Sequence, residues 1–337
     1  MQPQHILVTG AAGFIGRHLT RRLLADGVSV RALLLAHEEP PHFWRGDLPG
    51  ALDIVRGDVT DAESIRGAVA GVDAVVHLAA VVVDWGPEAL FQRVTVGGTD
   101  VVLRAAATVG AKVLLASSIV VYGAQLYRQA CPEETPYGVG LGPYSRAKIA
   151  QEELAWRLAD ELGLELTVVR PANVYGPHSG PWVEMVLPLL RTRQVTLIGG
   201  GDFDAGLSHV DNLVELMTLA LDKPAAIGRT YNGADGFGVT WRRYFNDLAR
   251  LARAPQPRSV PRAVALPLAV ASEALWRLMP ILRIQPTAQR PPITREAINL
   301  VGSACRIPVD RAIRELGYRP QVDYGRALDG IAATLST

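Results

Sequence analysis

Cysteine is scarce in this chain: its 337 residues include two cysteines, Cys131 and Cys305, which lie far apart. They form no Cys-x-x-Cys pair, and no histidines cluster beside them. This spacing argues against a structural zinc site and against a disulfide framework. Reduced thiols in the cytosol are therefore the default expectation.

A surplus of charge is also missing. The 34 lysines and arginines nearly balance the 33 acidic residues, which leaves a net charge of +1. Without a basic stripe, this balance argues against a nucleic-acid-binding protein and favours a small-molecule partner. The chain enters an apolar segment at His5, which leaves no room for a signal peptide, so we expect a cytoplasmic protein.

Long uninterrupted apolar runs are missing as well. The most apolar stretch, residues 263–282, is broken by Pro267, Glu273, Arg277 and Pro280, so no membrane span is expected. Two interpretations stay open. The stretch is either a core helix of a small lobe, or an apolar lid over a greasy substrate or a contact with a membrane surface.

Short apolar segments rich in β-branched residues alternate with helical patterns through the first half of the chain. This rhythm predicts an α/β fold with a doubly wound parallel (Rossmann) sheet. The predicted strands are residues 5–9, 28–35, 52–55, 74–78, 113–116 and 164–170, and the main predicted helices are 13–26, 61–70, 88–110 and 144–162.

The rhythm is lost after Arg170, where proline and glycine become frequent. We therefore predict a dinucleotide-binding domain in residues 1–172 plus about 207–235. A smaller substrate-binding lobe is predicted in residues 173–206 and 236–337. In such folds the lobe lies over the carboxyl ends of the strands, where ligands bind.

A glycine-rich turn joins the first predicted strand to the first predicted helix, with glycines at Gly10, Gly13 and Gly16. In that context glycines let the backbone approach a pyrophosphate, and the helix N-terminus supplies amide donors. The turn predicts a site for NAD or NADP. Leu34 and Leu35 stand where an acid would indicate NAD and an arginine NADP, so the sequence leaves that choice open.

Tyr144 and Lys148 lie four residues apart on a predicted helix, and this spacing places both side chains on one helical face. A lysine ammonium beside a phenol favours the phenolate, so we expect Lys148 to lower the pKa of Tyr144. Tyr144 would then act as an acid or base near neutral pH.

Six motifs in order give the chain a resemblance to the extended short-chain dehydrogenase/reductases, nearly from end to end. The motifs are Thr9-Gly-x-x-Gly-x-x-Gly16, Gly57-Asp58-Val59, His77-Leu-Ala-Ala80, Ser117-Ser118-x-x-Val-Tyr-Gly123, Tyr144-x-x-x-Lys148 and Arg170-Pro-x-Asn-Val-Tyr-Gly-Pro177.

The resemblance implies roles by position. Ser118, Tyr144 and Lys148 would be the catalytic residues, with Tyr144 exchanging a proton with the substrate oxygen. Tyr144 and Lys148 would also contact the cofactor, and Lys148 would bind its nicotinamide ribose. The other residues implied in cofactor binding are Gly10, Gly13, Phe14, Ile15, Gly16, Asp58, Val59, Leu78, Ala79, Ala80, Pro171, Asn173 and Val174.

The chain departs from the family pattern at Thr95-Val-Gly-Gly-Thr99, where members commonly have asparagine in place of Thr95. The route by which Tyr144 regains its proton is therefore open. A likeness to the 3β-hydroxysteroid dehydrogenase-like branch rests on Asp84-Trp-Gly86, on His209-Val-Asp-Asn-Leu213 and on the apolar stretch 263–282.

This likeness implies an NAD(P)-dependent oxidoreductase that interconverts a secondary alcohol and a ketone on a sterol-like or long-chain β-keto substrate. The alternative is a nucleotide-sugar epimerase or dehydratase with tightly bound NAD, for which Arg295 and Arg306 could serve a second pyrophosphate. A catalytically idle dinucleotide sensor is disfavoured by the intact Ser118, Tyr144 and Lys148. The family resemblance also implies a homodimer that pairs helices near 88–110 and 144–162.

Overall fold

The computed structural model describes residues 3–44, 46–127, 129–279, 291–302 and 306–335. Cys305 and the end of the apolar stretch, from Pro280 onward, lie outside the described residues. Cys131 is a buried free thiol, and burial raises its pKa to about 11.

A seven-stranded sheet organises the fold. The strands run in the order β10-β6-β5-β4-β1-β2-β3, and every neighbouring pair is parallel. The strands are β1 (His5–Thr9), β2 (Ser29–Leu34), β3 (Leu52–Arg56), β4 (Ala74–His77), β5 (Lys112–Ala116), β6 (Leu166–Pro171) and β10 (Thr230–Gly233). The predicted doubly wound parallel sheet is confirmed, with β10 as a seventh strand that the sequence pattern did not reveal.

Helices cover both faces of this sheet. They are α1 (Phe14–Ala25), α2 (Ala62–Val69), α3 (Glu88–Phe91), α4 (Gly98–Thr108), α5 (Pro143–Leu162) and α7 (Val210–Asp222). A π-helical turn, Gln92–Gly97, joins α3 to α4 within the predicted helix 88–110. Local signals fix several ends. The Asp61 carboxylate caps α2 at the Glu63 N–H, and Gly163 ends α5 in a left-handed conformation (φ +64°).

The alternation of strand residues divides the core into two layers. Ile6 and Val8 of β1 pack with α1 and α7 on one face, whereas Leu7 packs with α2, α4 and α5 on the other. Parallel strands buried on both faces read as continuous apolar runs, which is why these segments were predictable as strands.

The remaining elements lie mostly toward the C-terminus. Two short parallel pairs join β7 (Asn173–Tyr175) with β9 (Leu207–His209) and β8 (Thr196–Ile198) with β11 (Arg258–Val260). The remaining α-helices are α6 (Val186–Arg191), α8 (Trp241–Leu251), α9 (Arg262–Leu278), α10 (Arg295–Val301) and α11 (Tyr324–Leu335). Shorter 3₁₀ or π turns are His42–Trp44, Ile119–Tyr127, Gly180–Glu184, Gly199–Gly201, Pro224–Ala226 and Ala312–Leu316.

A separate apolar cluster forms around Trp241 and Tyr244 of α8, with Tyr175 and Tyr324 packed against them. The predicted division into two domains stays a prediction, although this second core agrees with a distinct lobe. Among the residues described, no helix is long and apolar enough to span a bilayer.

Candidate active site

The strand order reverses between β1 and β4, whose carboxyl ends lie side by side. Thr9 pairs in register with His77, so the glycine turn after β1 meets the segment after β4. In open parallel sheets, ligands bind in the crevice at such a switch point. The contact is tight: a Cβ added to Gly10 would lie 2.9 Å from the Ala79 nitrogen.

The glycine turn fits a dinucleotide pyrophosphate. Gly10 has a left-handed backbone (φ +64°), and a Cβ on Gly16 would overlap the Gly10 carbonyl oxygen. The helix α1 begins at Phe14 after the N-cap Gly13, with no side-chain cap and no acid in its first turn. Arg17 adds a buried Nε that has no hydrogen-bond partner in the described part of the chain. These donors suit an anion at the start of the helix.

The end of β2 carries no discriminating acid or arginine of its own. Leu34 is fully buried, and the Leu35 N–H donates to the Glu38 carboxylate (2.8 Å). Arg56 at the end of β3 donates to the carbonyls of Leu35 and Glu38. This edge therefore carries one carboxylate and one guanidinium that the sequence pattern had not singled out.

The structure places the other predicted cofactor residues at the same edge. Leu78, Ala79 and Ala80 follow β4 and are partly exposed. Asp58 is exposed after β3 and accepts from Thr60, while Val59 is buried. On the far side, Pro171 ends β6. Asn173 and Val174 lie in β7, where the Asn173 amide donates to the Ala205 carbonyl (2.6 Å).

Ser118, Tyr144 and Lys148 come together where β5 meets α5. Ser118 follows β5, and its hydroxyl lies beside the hydroxyl of Tyr144 in the first turn of α5, close enough to affect the pKa of the phenol. Lys148 lies one turn further along α5, where its Nζ donates to the Ala116 carbonyl at the end of β5 (2.9 Å). The sequence-predicted catalytic residues are thus neighbours, while Ser117 takes a backbone role by donating its N–H to Val169.

The expected lowering of the Tyr144 pKa is wrong. Burial raises the pKa of Tyr144 to about 12, while the neighbouring Ser118 hydroxyl acts to lower it and the nearby Glu296 acts to raise it. Burial also lowers the pKa of Lys148 to about 7, against the opposing charge of Glu152. Since Lys148 donates to Ala116 and Gln151, it does not compensate the desolvation of the phenol.

Glu296 of α10 brings an unexpected carboxyl group to the start of α5. One of its oxygens is buried without a hydrogen-bond partner among the described residues, and it occupies the space that a Cβ on Gly142 would need. Burial and the neighbouring Asp84 raise the pKa of Glu296 to about 7, while the nearby Ser145 hydroxyl acts to lower it. Glu296 lies 152 positions beyond Tyr144 in the sequence, and no motif marks it.

A buried chain of hydrogen bonds connects the glycine turn to Lys148. Thr9 Oγ1 lies 2.8 Å from His77 Nδ1, and His77 Nε2 lies 3.0 Å from Thr99 Oγ1. Gln151 Nε2 donates to Thr99 Oγ1 (2.7 Å), and Lys148 Nζ donates to Gln151 Oε1 (2.8 Å). All five side chains are at most 2% exposed. The sequence did not predict this chain of hydrogen bonds, because its five residues come from four different elements.

The direction of each bond in this chain is determined. The Thr99 hydroxyl donates its single proton to the Thr95 carbonyl (2.7 Å), so it accepts from both His77 and Gln151. His77 therefore carries its proton on Nε2 and accepts from Thr9 at Nδ1. Burial and the charge of Lys148 lower the pKa of His77 to about 3, which keeps the imidazole neutral.

A nucleotide-binding crevice beside a Ser-Tyr-Lys cluster defines an NAD(P)-dependent enzyme of the extended short-chain dehydrogenase/reductase class. The sequence comparisons agree: the family model described as "NAD dependent epimerase/dehydratase family" matches residues 6–234. The chain belongs to this family. The predicted fold, enzyme class and nicotinamide cofactor are thereby confirmed.

Relatives of the chain include reductases. It is 29% identical over 327 residues to a 4-hydroxy-2-methyl-3-oxo-4-farnesyl-3,4-dihydroquinoline-1-oxide ketoreductase of Stigmatella aurantiaca, covering 96% of this chain and 94% of that protein. It is 28% identical to a 2-alkyl-3-oxoalkanoate reductase of Stenotrophomonas maltophilia, covering 98% of each chain.

A solved relative represents the other branch. The dTDP-glucose 4,6-dehydratase DesIV of Streptomyces venezuelae, solved with NAD and TYD bound, superposes with a TM-score of 0.75 at 25% identity. The match covers 98% of this chain and 96% of that one.

Proposed function

We propose that the protein is an NAD(P)H-dependent ketoreductase that interconverts a secondary alcohol and a ketone on an apolar, long-chain β-keto or sterol-like substrate. The observation that carries this proposal is the hydroxyl pair of Ser118 and Tyr144 beside Lys148. Two hydroxyl donors directed at one carbonyl oxygen stabilise the negative charge that develops there during reduction.

Each residue of the site has its own role in the proposed reduction. When bound, the reduced nicotinamide supplies the hydride, and the protein needs to orient the ketone and deliver one proton. The raised pKa of Tyr144 keeps its phenol protonated at neutral pH, so Tyr144 is prepared to act as the acid in the direction of reduction. Ser118 holds the same substrate oxygen, and Lys148 would bind the nicotinamide ribose.

The cofactor would lie along the switch point. The amides of Phe14, Ile15 and Gly16 would take the pyrophosphate, with Gly10 and Gly13 giving the backbone room. Asp58 and Val59 would flank the adenine, and Leu78, Ala79 and Ala80 would line the cofactor beyond it. Pro171, Asn173 and Val174 would pack near the nicotinamide.

The surroundings of Tyr144 argue against a pyrophosphate close to the catalytic hydroxyls. Carboxyl groups of Asp84 and Glu296 face this side, where a pyrophosphate would be repelled. Arg295 is engaged with the buried Glu273 carboxylate (2.9 Å) and is not a free partner for a phosphate. The loop after β4 adds Val82 and Val83, both more than half exposed, as apolar surface beside the site.

The names of the two reductase relatives support the same substrate class. One acts on a farnesyl-bearing oxo compound and the other on a 2-alkyl-3-oxoalkanoate, according to their descriptions. Their coverage of nearly the whole chain includes the region after β6, where the substrate lobe is predicted. We infer a place in the 3β-hydroxysteroid dehydrogenase-like branch on the same grounds.

Two observations favour the nucleotide-sugar alternative. The solved dehydratase relative shares the fold over nearly the whole chain, and Arg306 lies near Asp204 on the lobe side. An epimerase or dehydratase regenerates its bound NAD, so it shows no net cofactor oxidation. This difference separates the two proposals by experiment.

The helix α9 presents an apolar outer face. Val264, Leu268, Leu275 and Leu278 recur at helical spacing, and each is about half exposed. Arg277 reaches from this helix over the Trp85 ring (5.4 Å), which ties α9 to the loop after β4. We infer that this face is a lid over the substrate or a peripheral membrane contact, which agrees with a greasy substrate.

Assembly and location follow from the family. We infer a cytoplasmic homodimer that pairs α4 and α5 with their copies, and sedimentation of the purified protein tests its mass. The two widely separated cysteines agree with a reducing compartment.

Cofactor turnover tests the proposed function. Purified protein is incubated with NADH or NADPH and a 2-alkyl-3-oxo acid, a 3-oxosteroid or dTDP-glucose, while nicotinamide absorbance is followed. We expect net oxidation with an apolar ketone. Conversion of the sugar nucleotide without any net change in absorbance would instead establish the alternative.

A further inference from the structure

Lys148 is held by two acceptors that cannot donate. Its Nζ lies 2.9 Å from the Ala116 carbonyl and 2.8 Å from Gln151 Oε1, and these are its acceptors among the described residues. An ammonium has three N–H donors and a neutral amine has two. Two N–H groups of Lys148 can therefore donate to these two acceptors in either protonation state. The third position on Nζ carries the proton that is gained or lost.

The Gln151 amide is locked in the orientation that this requires. Its Nε2 donates to Thr99 Oγ1 (2.7 Å), whose own proton is committed to the Thr95 carbonyl (2.7 Å). The amide cannot turn without leaving Thr99 and Lys148 each facing a group of the wrong kind. Because Gln151 and Thr99 are fully buried, no solvent is available to satisfy those groups instead.

The side chain at the position where family members commonly have asparagine does not reach Lys148; Thr95 contributes only its backbone carbonyl, which accepts from Thr99. Thr95 stands in place of the asparagine, and its hydroxyl accepts from the Val81 N–H (3.1 Å). The carboxamide next to the catalytic lysine is instead supplied by Gln151, three residues after Lys148 on the same helix.

We propose that Gln151 is the positioning residue of Lys148, which fixes the one site on Nζ where this lysine gains and loses its proton. In the neutral lysine a lone pair occupies that position, and in the ammonium an N–H does. The proton that Tyr144 must regain after each turnover can then be exchanged at a constant place. The inference rests on the proposed role of Lys148 in that turnover.

Titratable and charged groups lie around the lysine on α5 and on the neighbouring strands. Glu152 lies on the same helix, but its carboxylate is bound by Arg170. His77 on β4 is neutral, and Tyr144 is one turn away on α5. The lysine itself titrates near neutral pH, since burial lowers its pKa to about 7. Gln151 is therefore the nearest uncharged partner of a poorly solvated ammonium, and a substitution of Gln151 should change the pKa of Lys148.

Lysine-selective NMR tests this inference without substrate or turnover. The chain has three lysines, Lys112, Lys148 and Lys223, so protein labelled with ¹³C-lysine gives three side-chain signals. Lys148→Met assigns the relevant one. Gln151→Glu places a negative charge beside Nζ and should raise the pKa of Lys148 by about one unit or more, whereas Gln151→Met removes an acceptor and should lower it.

Shifts of opposite sign support the proposal. Titration of Lys148 at the wild-type pH in both variants, or shifts in the same direction, would overturn it. If Gln151→Met does not fold, Thr99→Val replaces it: the loss of the Thr99 hydroxyl releases the Gln151 amide and should also lower the pKa of Lys148. In Thr99→Ser the hydroxyl is kept, and Lys148 should titrate as in the wild type. Gln321→Met, an exposed glutamine elsewhere, is the matched control.

Kinetics provide the second readout. In the pH profile of kcat/KM, the limb that follows Lys148 should move by the same amount as the NMR titration in each variant. A purely structural glutamine would change the free energy of unfolding and leave that limb in place. If the NMR shifts occur in a protein that oxidises no cofactor with any ketone, the positioning of Lys148 by Gln151 stands, whereas the proposed function and the role of Lys148 in turnover are wrong.

Discussion

The hydroxyl of Ser118 lies beside the hydroxyl of Tyr144 across the junction between β5 and α5, close enough to lower the pKa of the phenol. This contact brings together a residue that follows a strand and one in the first turn of a helix, and both elements are packed in the core. The framework of the fold therefore holds the two hydroxyls together, which is the preorganisation that stabilisation of a developing alkoxide requires.

Removal of the phenol should end catalysis without unfolding the protein. Tyr144→Phe is expected to lower kcat by about 10²–10⁴-fold, because the proton donor is lost. The measurement is cofactor oxidation with an apolar ketone. Tyr137→Phe is the matched control, since its hydroxyl donates to Glu152 (3.0 Å) away from Ser118; it should keep turnover and cost about 1 kcal/mol of stability. Full activity of Tyr144→Phe would contradict the mechanism.

The buried Lys148 should make stability depend on pH in the alkaline range. The pKa of Lys148 is about 7 in the folded protein against an ordinary value of 10.5. Below pH 7 the lysine is charged in both states, so folding carries the whole desolvation cost; above 10.5 it is neutral in both. The free energy of unfolding should therefore rise between pH 7 and 10, by up to about 1.4 kcal/mol per unit.

Urea unfolding of wild type and Lys148→Met at several pH values isolates this effect, because other titrating groups are common to both. We expect the wild type to gain stability relative to the variant as the pH rises from 7 to 10. A difference that stays constant over this range would show that Lys148 is solvated.

Replacing one partner of the ion pair between Arg170 and Glu152 should destabilise the protein more than replacing both partners. Arg170 Nη2 lies 2.7 Å from Glu152 Oε2, with side chains 5% and 0% exposed. Glu152→Leu should cost about 3–5 kcal/mol, because it leaves a buried guanidinium without its partner. The double variant Glu152→Leu/Arg170→Met should be less destabilised than Glu152→Leu alone in urea unfolding. Simple addition of the two single effects would rule out this coupling.

The glycine turn should tolerate no side chain at Gly16. A Cβ there would overlap backbone atoms of Gly10 and Ala11, which cannot move as a flexible side chain can. Gly16→Ala should weaken NADH or NADPH binding, followed by fluorescence titration, by about tenfold or more. Gly67→Ala is the matched control: beyond its chain neighbours and its own helix backbone, no described atom lies within 4 Å of the added Cβ, and α2 should gain about 0.5–1 kcal/mol. Unchanged cofactor binding in Gly16→Ala would place the dinucleotide elsewhere.

Local patterns predicted most of the fold because the local signals were strong. Strand β1 is a continuous apolar run and is buried on both faces, as its sequence indicates. The short strand β10 (Thr230–Gly233) was missed, since four residues ending in Asn-Gly carry little strand signal. Its pairing with β6 is set by tertiary packing.

The site was predictable where a motif keeps its spacing. Ser118, Tyr144 and Lys148 meet because β5 and α5 are neighbours in this topology. Glu296 and Gln151 could not be predicted, as their roles depend on which atoms face Gly142 and Lys148. The pKa of Tyr144 was predicted in the wrong direction, because spacing alone does not reveal how far the surrounding protein desolvates the phenol.

Transfer of deuterium from the cofactor to the product decides whether the protein is a ketoreductase. The enzyme is supplied with NADPH or NADH carrying deuterium at the transferred position, together with a 2-alkyl-3-oxo acid, and the product is analysed by mass spectrometry. We expect a secondary alcohol with one deuterium on the carbinol carbon and one cofactor oxidised per product. Unlabelled product, or conversion of a nucleotide sugar with no cofactor consumed, would contradict it.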